Sequence, residues 1–162
     1  MKQPQFTALY KEYSKQLYNF IRWTTNYCPV CDDILQNMFL KIWGCESVPQ
    51  DAVECRRWLY AIARNACIDY FRSSARFSNF SKKFTMECSN SNVNDEPDDG
   101  EIWKKLSKLS DTDRSILYLH IREGYAYREV AGMLDLNENQ VRVKAFRALK
   151  KMREELVRNE VC

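Results

Sequence analysis

YREVAGMLDLNENQVRVKAFRALKKMREEL, Tyr127 to Leu156, is the stretch on which the fold turns. Tyr127, Val130, Ala131 and Leu134 fall at i, i+3, i+4 and i+7, one face of a helix. Asp135-Leu136-Asn137 then interrupts the period. Leu136 is placed to plug the corner between two helices, and Asn137 with Gln140 three residues on makes an N-cap close to a capping box. From Glu138 onward Val141, Ala145, Ala148, Leu149, Met152 and Leu156 form a stripe predicted to be buried. Arg142, Lys144, Arg147, Lys150, Lys151 and Arg153 occupy the remainder. Upstream, Ser110 with Asp113 opens another helix and Gly124 closes it. Three helices with a tight turn before a basic amphipathic last one is the layout of a helix-turn-helix. The major groove of duplex DNA admits one helix, whose first turns touch base edges while flanking cations neutralise phosphates. Asn139, Gln140, Arg142 and Lys144 are the right side chains in those turns. A basic solvated helix closing a bundle is the rival reading of the last helix, less favoured than DNA binding even alone and less again once Tyr127 to Leu134 and the turn precede it.

Outward from this stretch, composition bounds the rest. The chain has 162 residues, a net charge of +3 and 45% hydrophobic content, with only four Gly and four Pro and no alternating β-branched runs. An all-α protein of one domain or two small ones is expected. With so mild a net charge, any nucleic-acid binding must come from local patches, here Arg56, Arg57, Arg64, Arg72 and Arg76, and the last helix. No apolar run suffices to span a bilayer and no signal-peptide layout opens the chain, so no membrane insertion and a cytoplasmic location are expected. Seven scattered cysteines argue for reduced thiols. Cys28 and Cys31 form a CxxC, but no second pair follows and the single histidine, His120, is expected to be a solvated side chain. No metal site and no cofactor are therefore expected.

The first helix is marked by Phe6, Leu9, Tyr10, Tyr13, Leu17, Phe20 and Ile21, and stops before Pro29. Asp32 and Asp33 open a second that runs to about Trp43. Gly44 to Asp51 is a loop, and a third helix runs from about Ala52 to Arg72. Residues 77–101, rich in Ser and Asn and then acidic, cannot bury enough apolar surface to order themselves and are predicted to be a flexible linker. The expected domains are residues 1–76 and 102–162.

The second helix has more apolar surface than a small bundle requires. Ile34, Leu35, Met38, Phe39 and Ile42 make the core face; Gln36, Leu40 and Trp43 add a second stripe at i, i+4, i+7, which suits docking on a partner better than deep burial. On the third helix, Trp58, Leu59, Ile62, Ala63, Ala66 and Tyr70 are predicted to point inward. Asn65, Asp69 and Arg72 form a polar row flanked by Arg57, Tyr60, Arg64 and Phe71. Cations interleaved with rings suit unpaired DNA, and Asn65 can both donate to and accept from a base edge. Asp69 would repel phosphate, so its expected duty is local, pairing with Arg72 or orienting Asn65. A surface helix with ordinary i, i+4 pairs explains the same residues.

The run Asp33, Gln36, Phe39 and Trp43 resembles the DxxQxxFxxxW signature of bacterial sigma factors of the extracytoplasmic-function group. Trp58 to Arg72 resembles the same family's WLYxIARNxxxDxxR helix. Leu109-Ser110, Glu123 to Ala131 and Val141 to Arg153 are similar to its region four. The resemblance covers nearly all of the chain outside the linker. It implies a two-domain, non-enzymatic factor that joins core RNA polymerase, directs it to promoter DNA and helps open the duplex. Asp33, Gln36, Phe39, Leu40 and Trp43 would dock on the clamp coiled coil of the largest subunit, and the second domain on the flap of the second-largest. Arg57, Tyr60, Arg64, Asn65, Asp69 and Arg72, with the loop Gly44 to Glu54, would read the minus-ten element as a melted strand with one base turned out. Asn139, Gln140, Arg142, Val143, Lys144, Phe146 and Arg147 would read the minus-thirty-five element as duplex. The linker would thread near the nascent RNA path, and an anti-sigma factor is an implied partner.

Four departures from the family pattern stand out: Asp135 in place of Gly in the turn, Ala126 in place of a capping Ser or Thr, Asn37 in place of Glu, and Val143 in place of a small polar residue. An ordinary helix-turn-helix regulator independent of polymerase is the alternative reading, and it leaves Trp58 to Arg72 unexplained. A metal or redox sensor built on Cys28 and Cys31 would need further ligands.

Overall fold

A computed structural model describes residues 2–26, 29–76 and 108–161; the predicted linker and Cys28 lie outside the described residues. Six helices and no strand are found among the described residues, in two units, as the all-α expectation has it.

The first unit holds α1 (Gln3–Thr24), α2 (Cys31–Trp43) and α3 (Ala52–Arg76). Pro4 sits in the first turn of α1, where its missing N–H is no loss. Beyond the end of α1, Asn26 takes a left-handed conformation with φ 55°, which asparagine tolerates better than most residues. The turn is stitched to α2 by the Thr25 hydroxyl, 2.7 Å from the Ile21 carbonyl and 3.3 Å from Cys31 Sγ. Asp32 and Asp33 lie in the first turn of α2, where the helix dipole favours them. The Asp51 carboxylate accepts the Glu54 N–H at 3.1 Å and so caps α3. Leu17, Phe20 and Ile21 from α1, Ile34, Met38 and Ile42 from α2, and Leu59, Tyr60 and Ala63 from α3 close the core.

The second unit holds α4 (Asp111–Leu117), a π-helical turn that prolongs it (Tyr118–Arg122), α5 (Tyr127–Leu134) and α6 (Glu138–Val161). Ser110 Oγ accepts the Asp113 N–H at 3.2 Å, the cap expected from the sequence. Gly124 follows with φ 78°, a region open to glycine at little cost. Asp135 closes α5 with φ 55° and ψ 45°, the left-handed position for which the family pattern uses glycine. Leu136 then donates its N–H to the Ala131 carbonyl at 3.0 Å, satisfying the helix end.

Two features were not foreseen. Arg114 is buried, its guanidinium donating to the Leu109 carbonyl at 2.6 Å and paired with Asp111. Burial pulls its pKa down while Asp111 and Asp113 oppose the shift. Arg114 thereby ties the approach to α4 into the core. The π-helical turn is the other: Glu123 N–H reaches the Tyr118 carbonyl at 3.1 Å, an i→i+5 bond.

Candidate nucleic-acid and partner interfaces

Helix α2 divides its apolar residues between two faces. Ile34, Leu35, Met38 and Ile42 are buried, whereas Gln36, Asp33, Leu40 and Trp43 are exposed, Leu40 to 68% and Trp43 to 45%. Large apolar side chains left in water in a row form a patch, not scattered exposure. Phe39 lies on the core face that the periodicity predicts and so departs from the docking role that the resemblance implies. It is 3% exposed, held under Tyr10 at 4.8 Å and edge-on to Phe6 at 6.0 Å, so it supports the patch from beneath and is not available to a partner. Phe6 also stands edge-on to Trp43 at 5.0 Å, and Tyr10 is itself 45% exposed. The patch therefore continues onto α1. Sequence reasoning missed Phe6 and Tyr10 as surface rings, although their i, i+4 spacing matches that of Phe39 and Trp43.

On α3 the buried residues are Cys55, Leu59, Tyr60, Ala63, Ala66 and Cys67. Arg57, Asn65, Asp69 and Arg72 are exposed, and Arg64 is half-buried. Tyr60 is the second correction. Expected beside the polar row, it is 1% exposed and packs edge-on against Phe20 at 5.2 Å, so its ring cannot stack on a base. Trp58, expected inward, is half-buried, and seven residues before Asn65 it shares that residue's face. Ile62 and Tyr70 are likewise half-buried instead of inward. Asp69 is the third correction: its carboxylate pairs with Lys41 Nζ of α2 at 3.1 Å, in place of the expected Arg72 or Asn65. With both side chains more than half exposed, this pair contributes little stability, but it aims Asp69 toward α2.

Between α1 and residues 46–52 lies a groove of about 480 Å³ lined by Leu9, Glu12, Tyr13, Val48, Pro49 and Cys55 among others. Burial pushes both the Tyr13 phenol and the Cys55 thiol up, with Glu12 adding to the shift in each case. Both groups therefore keep their protons at neutral pH, in a groove that Glu12 and Glu46 also line.

In the second unit, the start of α6 carries the capping box read from the sequence. Asn137 Oδ1 accepts the Gln140 N–H at 2.8 Å and Gln140 Oε1 accepts the Asn137 N–H at 3.1 Å. Gln140 keeps its amide NH₂ for another acceptor. Asn139, Arg142, Val143, Phe146 and Arg147 are exposed, Phe146 to 70% and Val143 to 46%, while Lys144 is half-buried. Leu149, expected in the buried stripe, is 39% exposed on the outer side. The Arg142 guanidinium donates to Glu138 Oε1 at 2.7 Å and stands 5.8 Å from the centre of the Tyr127 ring. His120 is not a simple solvated side chain. It is half-buried, with Nδ1 2.8 Å from the Tyr125 carbonyl oxygen and its ring stacked on Tyr127 at 4.0 Å and 18°. At the start of α5, Glu129 accepts the Ala126 N–H at 3.0 Å; the alanine methyl cannot return the bond.

Among the described residues no group of His, Cys, Asp and Glu is arranged to hold a metal ion, and no helix is long and apolar enough to cross a membrane.

Residues 9–77 match the family described as Sigma-70 region 2, and residues 99–152 the one described as Sigma-70, region 4. The chain is 30% identical to the ECF RNA polymerase sigma factor SigL of Mycobacterium tuberculosis, across 90% of this chain and 85% of that protein. It belongs to the extracytoplasmic-function sigma factors of the sigma-70 family. Among its other relatives is the ECF RNA polymerase sigma factor SigX of Bacillus subtilis, 26% identical over 96% of this chain and 87% of that one. The fold of this sigma factor is shared with two solved structures. One is the sigma factor RpoE of Bartonella quintana in complex with the anti-sigma factor NepR, with TM-score 0.70, 18% identity and coverage of 94% and 96%. The other is CnrH in complex with the cytosolic domain of CnrY, with TM-score 0.66, 23% identity and coverage of 96% and 89%. The protein is thus an RNA polymerase sigma factor, a transcription-initiation factor whose partners are core polymerase and promoter DNA.

Proposed function

We propose the following division of labour over this sigma factor's surfaces. Gln36, Leu40 and Trp43, with Asp33 and the adjoining Phe6 and Tyr10, dock on the clamp coiled coil of the largest polymerase subunit, and the second unit on the flap of the second-largest. The exposed face of α3 (Arg57, Trp58, Arg64, Asn65 and Arg72) reads the minus-ten element as a separated strand. Asn139, Gln140, Arg142, Val143, Phe146 and Arg147, with Lys144 at the flank, read the minus-thirty-five element in the major groove. Residues 1–76 and 102–162 are the two working domains, and residues 77–101 thread between them through the polymerase. The factor is not itself the catalyst: polymerisation belongs to the core enzyme, and the cytoplasm, where that enzyme and the promoters are, is where the factor works. An anti-sigma factor controls it, a reading supported by the partners with which the structurally similar sigma factors were solved.

The observation that carries this reading is the exposure of Leu40 and Trp43 beside Gln36. A folded chain leaves such a row uncovered at a cost, and covering it on a partner recovers that cost. The groove beside residues 46–52 and Asn65 serve different nucleotides. Cys55 and Asn65 are ten residues apart on one helix, roughly 15 Å along its axis, too far for a single base.

Leu40→Asp or Trp43→Ala tests docking, since losing a buried apolar anchor at an interface costs about 2 kcal/mol or more. The expected result is loss of copurification with core polymerase by a protein whose circular dichroism is unchanged. A folded Trp43→Ala protein that copurifies as well as the wild type would take the row out of the interface.

A further inference from the structure

We propose that Tyr127 is a positioning residue for Arg142, and that His120 holds the Tyr127 ring in place for that task. The proposal rests on the minus-thirty-five reading of α6. An arginine that reads a base edge must present a planar fork in one orientation, yet on an exposed helix its long side chain samples many rotamers. Two restraints from two elements act on Arg142. Glu138, one turn earlier on α6, accepts from its guanidinium at 2.7 Å, and the Tyr127 ring, at the first residue of α5, lies 5.8 Å from it. A single i, i+4 pair fixes a point on the guanidinium but not its plane; an aromatic surface beside it supplies the second constraint.

The ring is itself fixed. His120 stacks on Tyr127 at 4.0 Å with the two planes 18° apart, and its Nδ1 is 2.8 Å from the Tyr125 carbonyl oxygen, just before α5 begins. His120 lies in the π-helical turn, whose lengthened bonding sets its direction relative to the regular turns of α4. A chain of contacts therefore runs from the middle of that turn, through the backbone entering α5, to the side chain at the start of α6. None of it needs His120 or Tyr127 to touch DNA.

The test is selection of a duplex library, randomised over the minus-thirty-five segment upstream of a fixed minus-ten element, by polymerase holoenzyme carrying the full chain. Arg142→Ala is expected to erase base preference at one or two positions of the wild-type motif. Tyr127→Leu and His120→Ala are expected to weaken preference at those same positions, by about two- to fivefold as an exposed cation–π contact allows, and to leave the others unchanged. Tyr127→Phe, which keeps the ring, should retain the wild-type motif. A wild-type motif from Tyr127→Leu, or weakening spread evenly over all positions as a merely structural role would give, overturns the proposal while the reading of α6 stands. An unchanged motif from Arg142→Ala overturns that reading and the proposal with it. Should Tyr127→Leu fail to fold, His120→Ala decides on the same criteria.

Discussion

Trp58 and Tyr60, two residues apart on α3, exchange the roles that their neighbours in sequence suggest. Tyr60 fills the core against Phe20, and Trp58 is left half in water on the face of Asn65. Tyr60→Ala should therefore cost about 3–5 kcal/mol, the range for an aromatic removed from a core, and lower the melting temperature of the first unit. Trp58→Ala should leave that temperature nearly unchanged and weaken holoenzyme binding to single-stranded minus-ten DNA. Equal effects of both on stability would return Trp58 to the core. Asn65→Ala belongs to the same scale: core binding should persist while open-complex formation falls, and a premelted template should restore opening without restoring base preference. Permanganate reactivity of promoter thymines reports this, and normal opening with unchanged preference would remove Asn65 from the reading surface. The misplaced phase of α3 has a physical origin. Its core stripe runs Cys55, Leu59, Tyr60, Ala63, Ala66, Cys67, with two cysteines acting as small hydrophobes, while Trp58 and Ile62 put apolar surface on the outer side. With apolar residues on both sides, periodicity alone cannot fix the rotation of the helix. The polar members Asn65 and Arg72 were legible because nothing apolar competes for their positions.

At the scale of elements, starts and stops were readable where a side chain has one local partner. The Ser110 cap, the Asn137–Gln140 box and the glycine at 124 follow from residues within four positions of one another, whereas the left-handed Asp135 was legible only through the resemblance, at a position where the family pattern has glycine. The π-helical turn was not readable, because the extra residue it accommodates is set by how α4 packs on the later helices and leaves no periodic mark. The caps allow a paired prediction. Asn137→Ala removes the acceptor for the Gln140 N–H and should cost about 1 kcal/mol. Ala126→Ser supplies the acceptor that α5 lacks and, with Glu129 already on the Ala126 N–H, should stabilise by a similar amount, about 1 kcal/mol. Thermal denaturation of the full chain, followed in the second unit by an engineered fluorophore, gives both signs; a destabilised Ala126→Ser protein would mean that the N–H at Glu129 is already satisfied.

For the whole molecule, the two units follow from the apolar-poor stretch that separates two sets of amphipathic helices, and each proposed interface shows in the sequence as a surplus. The Leu40–Trp43 row and most cations of α6 lie outside the core, although Arg142 pairs with Glu138 and Lys151 donates to the Lys108 carbonyl at 3.1 Å within the unit. Phe39 differs: the periodicity of α2 puts it in the core, where it lies, and its docking role came only with the resemblance. The surplus cations predict salt dependence. Lys150→Ala should weaken holoenzyme binding to matched and scrambled minus-thirty-five duplexes alike and reduce the dependence on salt concentration by about one counterion. Arg147→Ala should lower affinity for the matched duplex alone, by about 1–3 kcal/mol if it grips a base edge in two places. Competition binding at two salt concentrations separates them, and equal losses on both duplexes would make Arg147 a phosphate contact.

The buried thiols of the first unit give it a built-in clock. Cys31 opens α2 and Cys67 lies along α3, both shut away from solvent, whereas Cys45 after α2 is partly accessible and Cys55 lines the groove beside α1. A maleimide in the solution would alkylate Cys45 at once and Cys31 and Cys67 only when the helices around them part. With the remaining cysteines changed to serine, the lag between the two reactions times how often the bundle opens. That interval can be read on the sigma factor alone and again when it is seated on polymerase, without attaching any label beforehand.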